Sequence, residues 1–222
     1  MLKSAYVAIP KTASRTIVSM TPCVYSEMHQ TYNQLRHKDF EYIFTSVRNP
    51  YDRLVSAFCF LRRRHRQIPI DRPLRPPMNM NRMRRPNIMR WELLEDNRHM
   101  EFGEFVYMWL TDFVDDEVNC MFQPQTCWTK GVKYNSIIKM ENFERDFAAT
   151  YANIYQEEFT GEFKRINATK REQYQTYYTD TAVKDVVAEY YAADLESLRY
   201  SFHDGEATRE GVEETCCGGN VF

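Results

Sequence analysis

SAYVAIPKTASRTIVSM, Ser4 to Met20, opens the chain with an apolar run, a proline and a helix-forming segment that stops before Pro22. Ala5 to Ile9 reads as a strand, Pro10 as the start of a tight turn, and a helix is expected from about Thr12. A strand feeding a helix N-terminus leaves unpaired backbone N–H groups and the positive end of the helix dipole at the turn, which together attract an anion. Lys11 adds a mobile positive charge, and Thr12, Ser14 and Thr16 add hydroxyl donors. A phosphate-like group is the expected occupant. The Walker pattern G-x-x-x-x-G-K-[ST] and the dinucleotide pattern G-x-G-x-x-G are both excluded, because no glycine precedes Gly103.

The same arrangement recurs downstream. Glu41 to Arg48 (EYIFTSVR) is rich in β-branched and aromatic residues and reads as a second strand. Asn49 suits an N-cap and Pro50 the first helical position. In the helix expected from Pro50 to about Arg66, Tyr51, Leu54, Val55, Phe58 and Leu61 share one face. Strand, turn and helix twice over is the pattern of a parallel α/β sheet, whose ligands sit at the carboxyl ends of the strands. Lys11 and Arg48 both fall at such ends. Ser136 to Met140 is a candidate third core strand, and Asn142 a cap for a helix lined by Phe143, Phe147, Tyr151 and Ile154. A helix after Asp180 places Val183, Val186, Val187 and Tyr190 inward. A short helix is expected to end near His37, a helical segment to cover Glu101 to Leu110, and a loop to run from Asn119 to Thr129.

At 222 residues, with 43% hydrophobic and 14% aromatic residues, the chain is long and apolar enough for one globular domain. That domain is expected over residues 1–203, with an acidic, glycine-rich tail over 204–222. The net charge of −2 hides an asymmetry: Arg62 to Arg90 carries +9, from ten arginines against Asp71, and the remainder −11. Five prolines between Gln67 and Asn87 mark this block as an irregular excursion. Six cysteines without metal spacing point to free thiols. With no apolar run near the ~20 residues of a membrane span and no signal-like N-terminus, no membrane span and a cytoplasmic setting are expected.

The two stretches IPKTASRTI and FTSVRNPYDRLVSAF together resemble the sulfotransferases that use 3′-phosphoadenosine 5′-phosphosulfate (PAPS), most closely the carbohydrate branch. The resemblance extends weakly over most of residues 4–202. It implies a three-layer α/β/α fold with a central parallel sheet, similar to the P-loop NTPases, and a helix-rich C-terminal half. It also implies PAPS as donor, 3′-phosphoadenosine 5′-phosphate (PAP) as product, and no metal. Pro10, Lys11, Thr12, Ala13, Ser14, Arg15 and Thr16 match the loop that holds the 5′-phosphosulfate. Arg48 and Ser56 match the arginine and serine that hold the 3′-phosphate, and Arg165 and Lys170 match a late basic loop that closes on it. This sequence departs from the family where glycine is common and Ser14 stands, followed by Arg15. His29 resembles a histidine found between the two motifs in the carbohydrate branch. Glu27 competes with it for the role of base.

Sulfuryl transfer is an in-line displacement that needs charge neutralised on the leaving oxygen, tight positioning and a base for the acceptor proton. Lys11 suits the first task, and His29 or Glu27 the last. The acceptor is expected to be a hydroxyl on a glycan, an anionic one if Arg82, Arg84 and Arg85 help to bind it, with no nucleic acid involved. Two other readings stand beside this one. A non-enzymatic binder of RNA or polyanions would use Arg62 to Arg90 and need no coupled Lys11 and Arg48/Ser56; a nucleotide kinase is disfavoured by the missing Walker loop.

Overall fold

Ser4–Val7 (β1), Tyr42–Val47 (β2) and Ser136–Lys139 (β3) lie side by side in that order as a parallel sheet. The computed structural model describes residues 1–66, 100–112, 120–163 and 171–204. Its helices are α1 (Ser14–Met20), α2 (Pro50–Arg66), α3 (Phe102–Tyr107), α4 (Thr126–Thr129), α5 (Phe143–Tyr155), α6 (Thr181–Tyr190) and α7 (Ala192–Leu198). The register pairs Ser4 with Tyr42 and Phe44 with Ser136, so alternate residues of all three strands share a face. Tyr6, Ala8, Tyr42, Phe44 and Ile138 pack against Ile17 and Met20 of α1 and Phe147 and Ile154 of α5. Val7, Ile9 and Val47 pack on the opposite side with Trp128 of α4 and Leu198 of α7. Both faces of the sheet are therefore covered, as a parallel sheet requires. The result is the expected α/β/α layering.

A second core lies beyond the sheet, where Tyr51, Leu54, Val55, Phe58 and Leu61 of α2 meet α3 and α6. Phe58 meets Phe102 and Phe105 edge-on at centroid distances of 5.3 and 5.0 Å, and Trp109 stacks on Phe122 at 4.7 Å. Such ring pairs resist sliding as well as separation, because only certain mutual orientations are favourable. They fix α2, the helix that begins directly behind Arg48.

Several local expectations are corrected. Helix α1 starts at Ser14, because Lys11 and Ala13 adopt left-handed backbone angles (φ 70° and 60°) and cannot join it. Between Thr31 and His37 there is only a 3₁₀ turn, Tyr32–Gln34; the Gln34 side chain accepts the Thr31 N–H at 2.9 Å and closes a single turn. The segment from Glu101 forms α3 and then a π-helical turn, Met108–Asp112. The last four residues of the supposed loop ending at Thr129 form α4. Asp194 caps that turn, accepting the N–H groups of Gln125 and Thr126 at 2.7 and 2.8 Å. Because α2 runs to Arg66, the arginine-rich block begins inside a helix. Its continuation and the 205–222 tail lie outside the described residues. Among the described residues Cys23, Cys59, Cys120 and Cys127 are free, and no helix is long and apolar enough to cross a membrane.

Phe44 is fully buried at the centre of the middle strand and stacks on Tyr6 at 5.0 Å. Phe44→Ala should lower the free energy of unfolding by about 3–5 kcal/mol, measured as a fall in the urea midpoint with unchanged slope.

Candidate anion-binding site

The turn between β1 and α1 is strained by design of its sequence. Among the described residues five non-glycine positions have positive φ, and two of them, Gln156 and Arg199, are ordinary helix C-caps. The other three are Lys11, Ala13 and His29 (φ 65°). A left-handed residue alternating with ordinary ones turns successive N–H groups to the same side and forms a concave anion nest. The first helical bond is from Ile17 N–H to the Ala13 carbonyl, so the N–H groups of Ser14 and Arg15 make none inside the helix.

Buried hydroxyls brace the turn from below. Thr12 and Ser14, expected to aim their hydroxyls at the anion, instead donate them to the Ile9 carbonyl at 2.8 and 2.7 Å. Ser46 of β2 donates to the Thr12 carbonyl at 2.8 Å and also meets the Thr12 hydroxyl at 2.7 Å. The Tyr6 hydroxyl joins them, 2.6 Å from Ser46 Oγ, and burial pushes this phenol's pKa up. Thr12 and Ser14 therefore present main chain, not side chain, to the concave surface. Arg15 is exposed, and Pro10 and Thr16 are buried. Arg53, 1% exposed, donates Nε to the Pro10 carbonyl at 3.0 Å and its other nitrogens to the carbonyls of Gln123 and Cys120. All three of these acceptors are neutral, so a full positive charge lies beneath the turn.

Arg48 stands at the carboxyl end of β2 and reaches the same place. Its NH1 donates to the Lys11 carbonyl at 3.3 Å, while Nε and NH2 hold Asp52 Oδ2 at 2.7 and 2.6 Å. The other oxygen of Asp52 pairs with NH2 of Arg171, whose NH1 is buried without a partner among the described residues. Ser56 follows one turn after Asp52 on α2 and is half-buried. The main chain of Arg48 is clamped by Gln125, which accepts its N–H at 3.0 Å and donates to its carbonyl at 2.8 Å. Arg171 and Gln125 escaped the sequence reading. Arg171 follows Lys170, a named candidate, but nothing local tied it to Arg48; a buried glutamine carries no periodic signal at all.

The Lys11 ammonium rests over the Phe60 ring, 4.0 Å from its centroid. Burial, then the charges of Arg48 and Arg63, lower its pKa to about 7. His29 Nδ1 lies 3.3 Å from the Ala8 carbonyl, beside the turn. Burial lowers its pKa against that hydrogen bond, with Arg53, Lys11 and Arg15 adding repulsion. Glu27 is placed differently: it accepts from the Tyr25 hydroxyl and pairs with Arg36 at 3.5 Å. The structure thus brings Lys11, Arg48, Arg171 and His29 to one end of the sheet, with Ser56 one helical turn beyond Asp52. Arg82, Arg84, Arg85, Arg165 and Lys170 lie outside the described residues. Lys139 and Glu141, also at a strand end, are structural: Lys139 donates to the Leu198 carbonyl, and Glu141 accepts from Asn49 N–H and Tyr200 O–H.

A family model described as "Sulfotransferase family" matches residues 3–201. No curated protein and no solved structure matches the chain.

Thr12→Val keeps the shape of the side chain and deletes the hydroxyl that Ser46 and Ile9 share. The expected loss is about 1–3 kcal/mol of stability, read from urea unfolding; a change within error would mean that the hydroxyl network contributes nothing to holding the turn.

Proposed function

The chain belongs to the sulfotransferase family, and from that premise we propose that it takes its sulfuryl group from PAPS and delivers it to a hydroxyl on a carbohydrate, releasing PAP. The observation that supports this reading best is the junction of the two motifs, Arg48 NH1 on the Lys11 carbonyl. It joins the strained turn to the Arg48 and Arg171 pair that Asp52 bridges. A donor with a 5′-phosphosulfate and a 3′-phosphate needs two anion sites side by side. The residues present fit it: the N–H groups of the strained turn with Lys11 suit the 5′ end, and Arg48, Ser56 and Arg171 suit the 3′ end. NH1 of Arg171, buried and without a partner among the described residues, is a donor that a phosphate oxygen would satisfy.

When bound, PAPS supplies an activated sulfuryl group on a phosphate leaving group. Lys11 would hold the 5′-phosphosulfate end and supply positive charge to the leaving phosphate, a contribution that counts most in the transition state. His29 takes the proton of the acceptor hydroxyl. Donating Nδ1–H to Ala8 would leave Nε2 as the free base, and the lowered pKa keeps the ring neutral near pH 7. The engagement of Glu27 with Tyr25 and Arg36 favours His29 over it. Arg165 and Lys170 would add to the 3′-phosphate grip, and Arg82, Arg84 and Arg85 would draw an anionic glycan.

The donor assignment is tested by thermal shift with PAP. Saturation at 100 times the dissociation constant adds about 2.7 kcal/mol to stability; no shift at millimolar PAP would overturn it and favour the polyanion binder. A screen of sulfate transfer over glycans, phenols and small alcohols then tests the acceptor, and transfer confined to phenols would exclude a carbohydrate.

Lys11→Ala should raise the barrier to turnover by about 2.7–4 kcal/mol while PAP affinity falls much less. The pH dependence carries a definite sign. His29 must be neutral and Lys11 charged, so kcat/KM should be bell-shaped, its acid limb below 6.5 and its basic limb near 7. His29→Ala should abolish the acid limb and Lys11→Arg the basic one, each read from the pH–rate profile.

Arg48→Ala and Ser56→Ala should each weaken PAP by about 1.5–3 kcal/mol. Adenosine 5′-phosphosulfate, which lacks the 3′-phosphate, should be affected much less. Calorimetric titration of both ligands decides it, and equal weakening would remove these residues from the 3′-phosphate.

A further inference from the structure

Among the described residues Asp52 is the carboxylate that joins Arg48 and Arg171, and its position is odd for a phosphate pocket. A carboxylate beside a bound phosphate repels it, so its presence needs a reason. Being in the first turn of α2 and four residues after Arg48, Asp52 has an ordinary explanation as a helix-dipole partner and i,i+4 pair. That explanation accounts for only one of its oxygens. Oδ2 takes Nε and NH2 of Arg48, while Oδ1 takes NH2 of Arg171, 119 residues away in sequence. All three side chains are mostly buried, with side-chain exposures of 17, 19 and 14% for Arg48, Asp52 and Arg171.

Two guanidinium groups brought this close without a counter-charge would repel each other and swing apart. The donors that remain after Asp52 is satisfied are the ones a ligand would meet. Arg48 keeps NH1, now on the Lys11 carbonyl at 3.3 Å, and Arg171 keeps NH1, buried and without a partner among the described residues. Ser56 stands one turn farther along the same helix. Asp52 therefore takes Nε and NH2 of Arg48 and NH2 of Arg171, and leaves NH1 of each arginine to other contacts.

We infer that Asp52 is a positioning residue: it bridges Arg48 and Arg171 so that both are set to grip the 3′-phosphate before the donor arrives. The inference rests on the reading of the site given above. It gains affinity by preorganisation, because the ordering of two long side chains is already complete in the free protein. The rival is competition, in which Asp52 occupies the arginines and must be displaced by the phosphate. The two predict opposite signs.

The test is titration of PAP and of adenosine 5′-phosphosulfate into the wild-type protein, Asp52→Asn, Asp52→Glu and Arg171→Gln, with folding checked by circular dichroism. Positioning predicts that Asp52→Asn binds PAP about tenfold more weakly, the scale of one lost charge-assisted hydrogen bond, and adenosine 5′-phosphosulfate almost normally. It also predicts partial recovery in Asp52→Glu, and a raised KM for PAPS with little change in kcat. Adding Asp52→Asn to Arg171→Gln should then cost less than it does alone, since the two act through one contact. Unchanged or tighter PAP binding by Asp52→Asn overturns the inference, as does equal weakening of both ligands, while leaving the donor assignment intact. If Asp52→Asn does not fold, Arg171→Gln carries the test, and wild-type affinity of that variant for PAP overturns the inference. Failure of the wild-type protein to bind PAP overturns the donor assignment and this inference together.

Discussion

A turn that no ordinary sequence would adopt unaided has to be held in place, and the rest of the molecule is arranged around holding it. Left-handed angles at Lys11 and Ala13 cost on the order of 1–3 kcal/mol each, with no glycine in the turn to relieve them. The compensation is the buried set of hydroxyls from Tyr6, Thr12, Ser14 and Ser46, which ties the turn to β1 and β2. Arg53 adds a bond to the Pro10 carbonyl from below. Each of these groups would be destabilising if left unpaired in the interior, so the network forms completely or poorly.

The second constraint is charge. Arg48, Arg63 and Arg171 all act on the charge of Lys11, and Asp52 pairs directly with two of these arginines. The strain shows in Lys11, whose affinity for its proton is reduced by burial and then by its cationic neighbours. An anion entering here would be attracted and would also restore the charge of Lys11. Binding and protonation are thus linked.

Support for this arrangement comes from far along the chain. Asn49 donates to the Ser201 carbonyl, Glu141 spans Asn49 and Tyr200, and Gln125 clamps Arg48 while resting on Asp194. Four segments between residues 120 and 204 therefore fix the carboxyl end of a six-residue strand. The aromatic packing of α2 against α3 and α6 does the same for the helix that follows. Trp109 and Trp128 belong to these cores and are not free to stack on a ligand base.

The sequence alone determined the parallel α/β framework. Two strand–turn–helix units with period-2 and helical apolar spacing leave few other ways to bury Tyr6, Phe44, Leu54 and Phe58. It also placed Lys11 and Arg48 at strand ends, because strand direction and connection length fix which end faces the ligand. Only the tertiary structure decided what the side chains between them do. Thr12 and Ser14 look like ligand donors in sequence, yet their protons go to Ile9, because Ser46 and Tyr6 close in from neighbouring positions in the sheet. His29 and Glu27 are two residues apart and equivalent on paper; a hydrogen bond to Ala8 separates one, and Arg36 the other. Arg171 and Gln125 had no local signature, because their meaning lies in contacts with Asp52 and Arg48, 119 and 77 residues away. Local pattern specifies elements and their ends, whereas proton direction and charge pairing depend on distant neighbours that become adjacent only when the chain has folded.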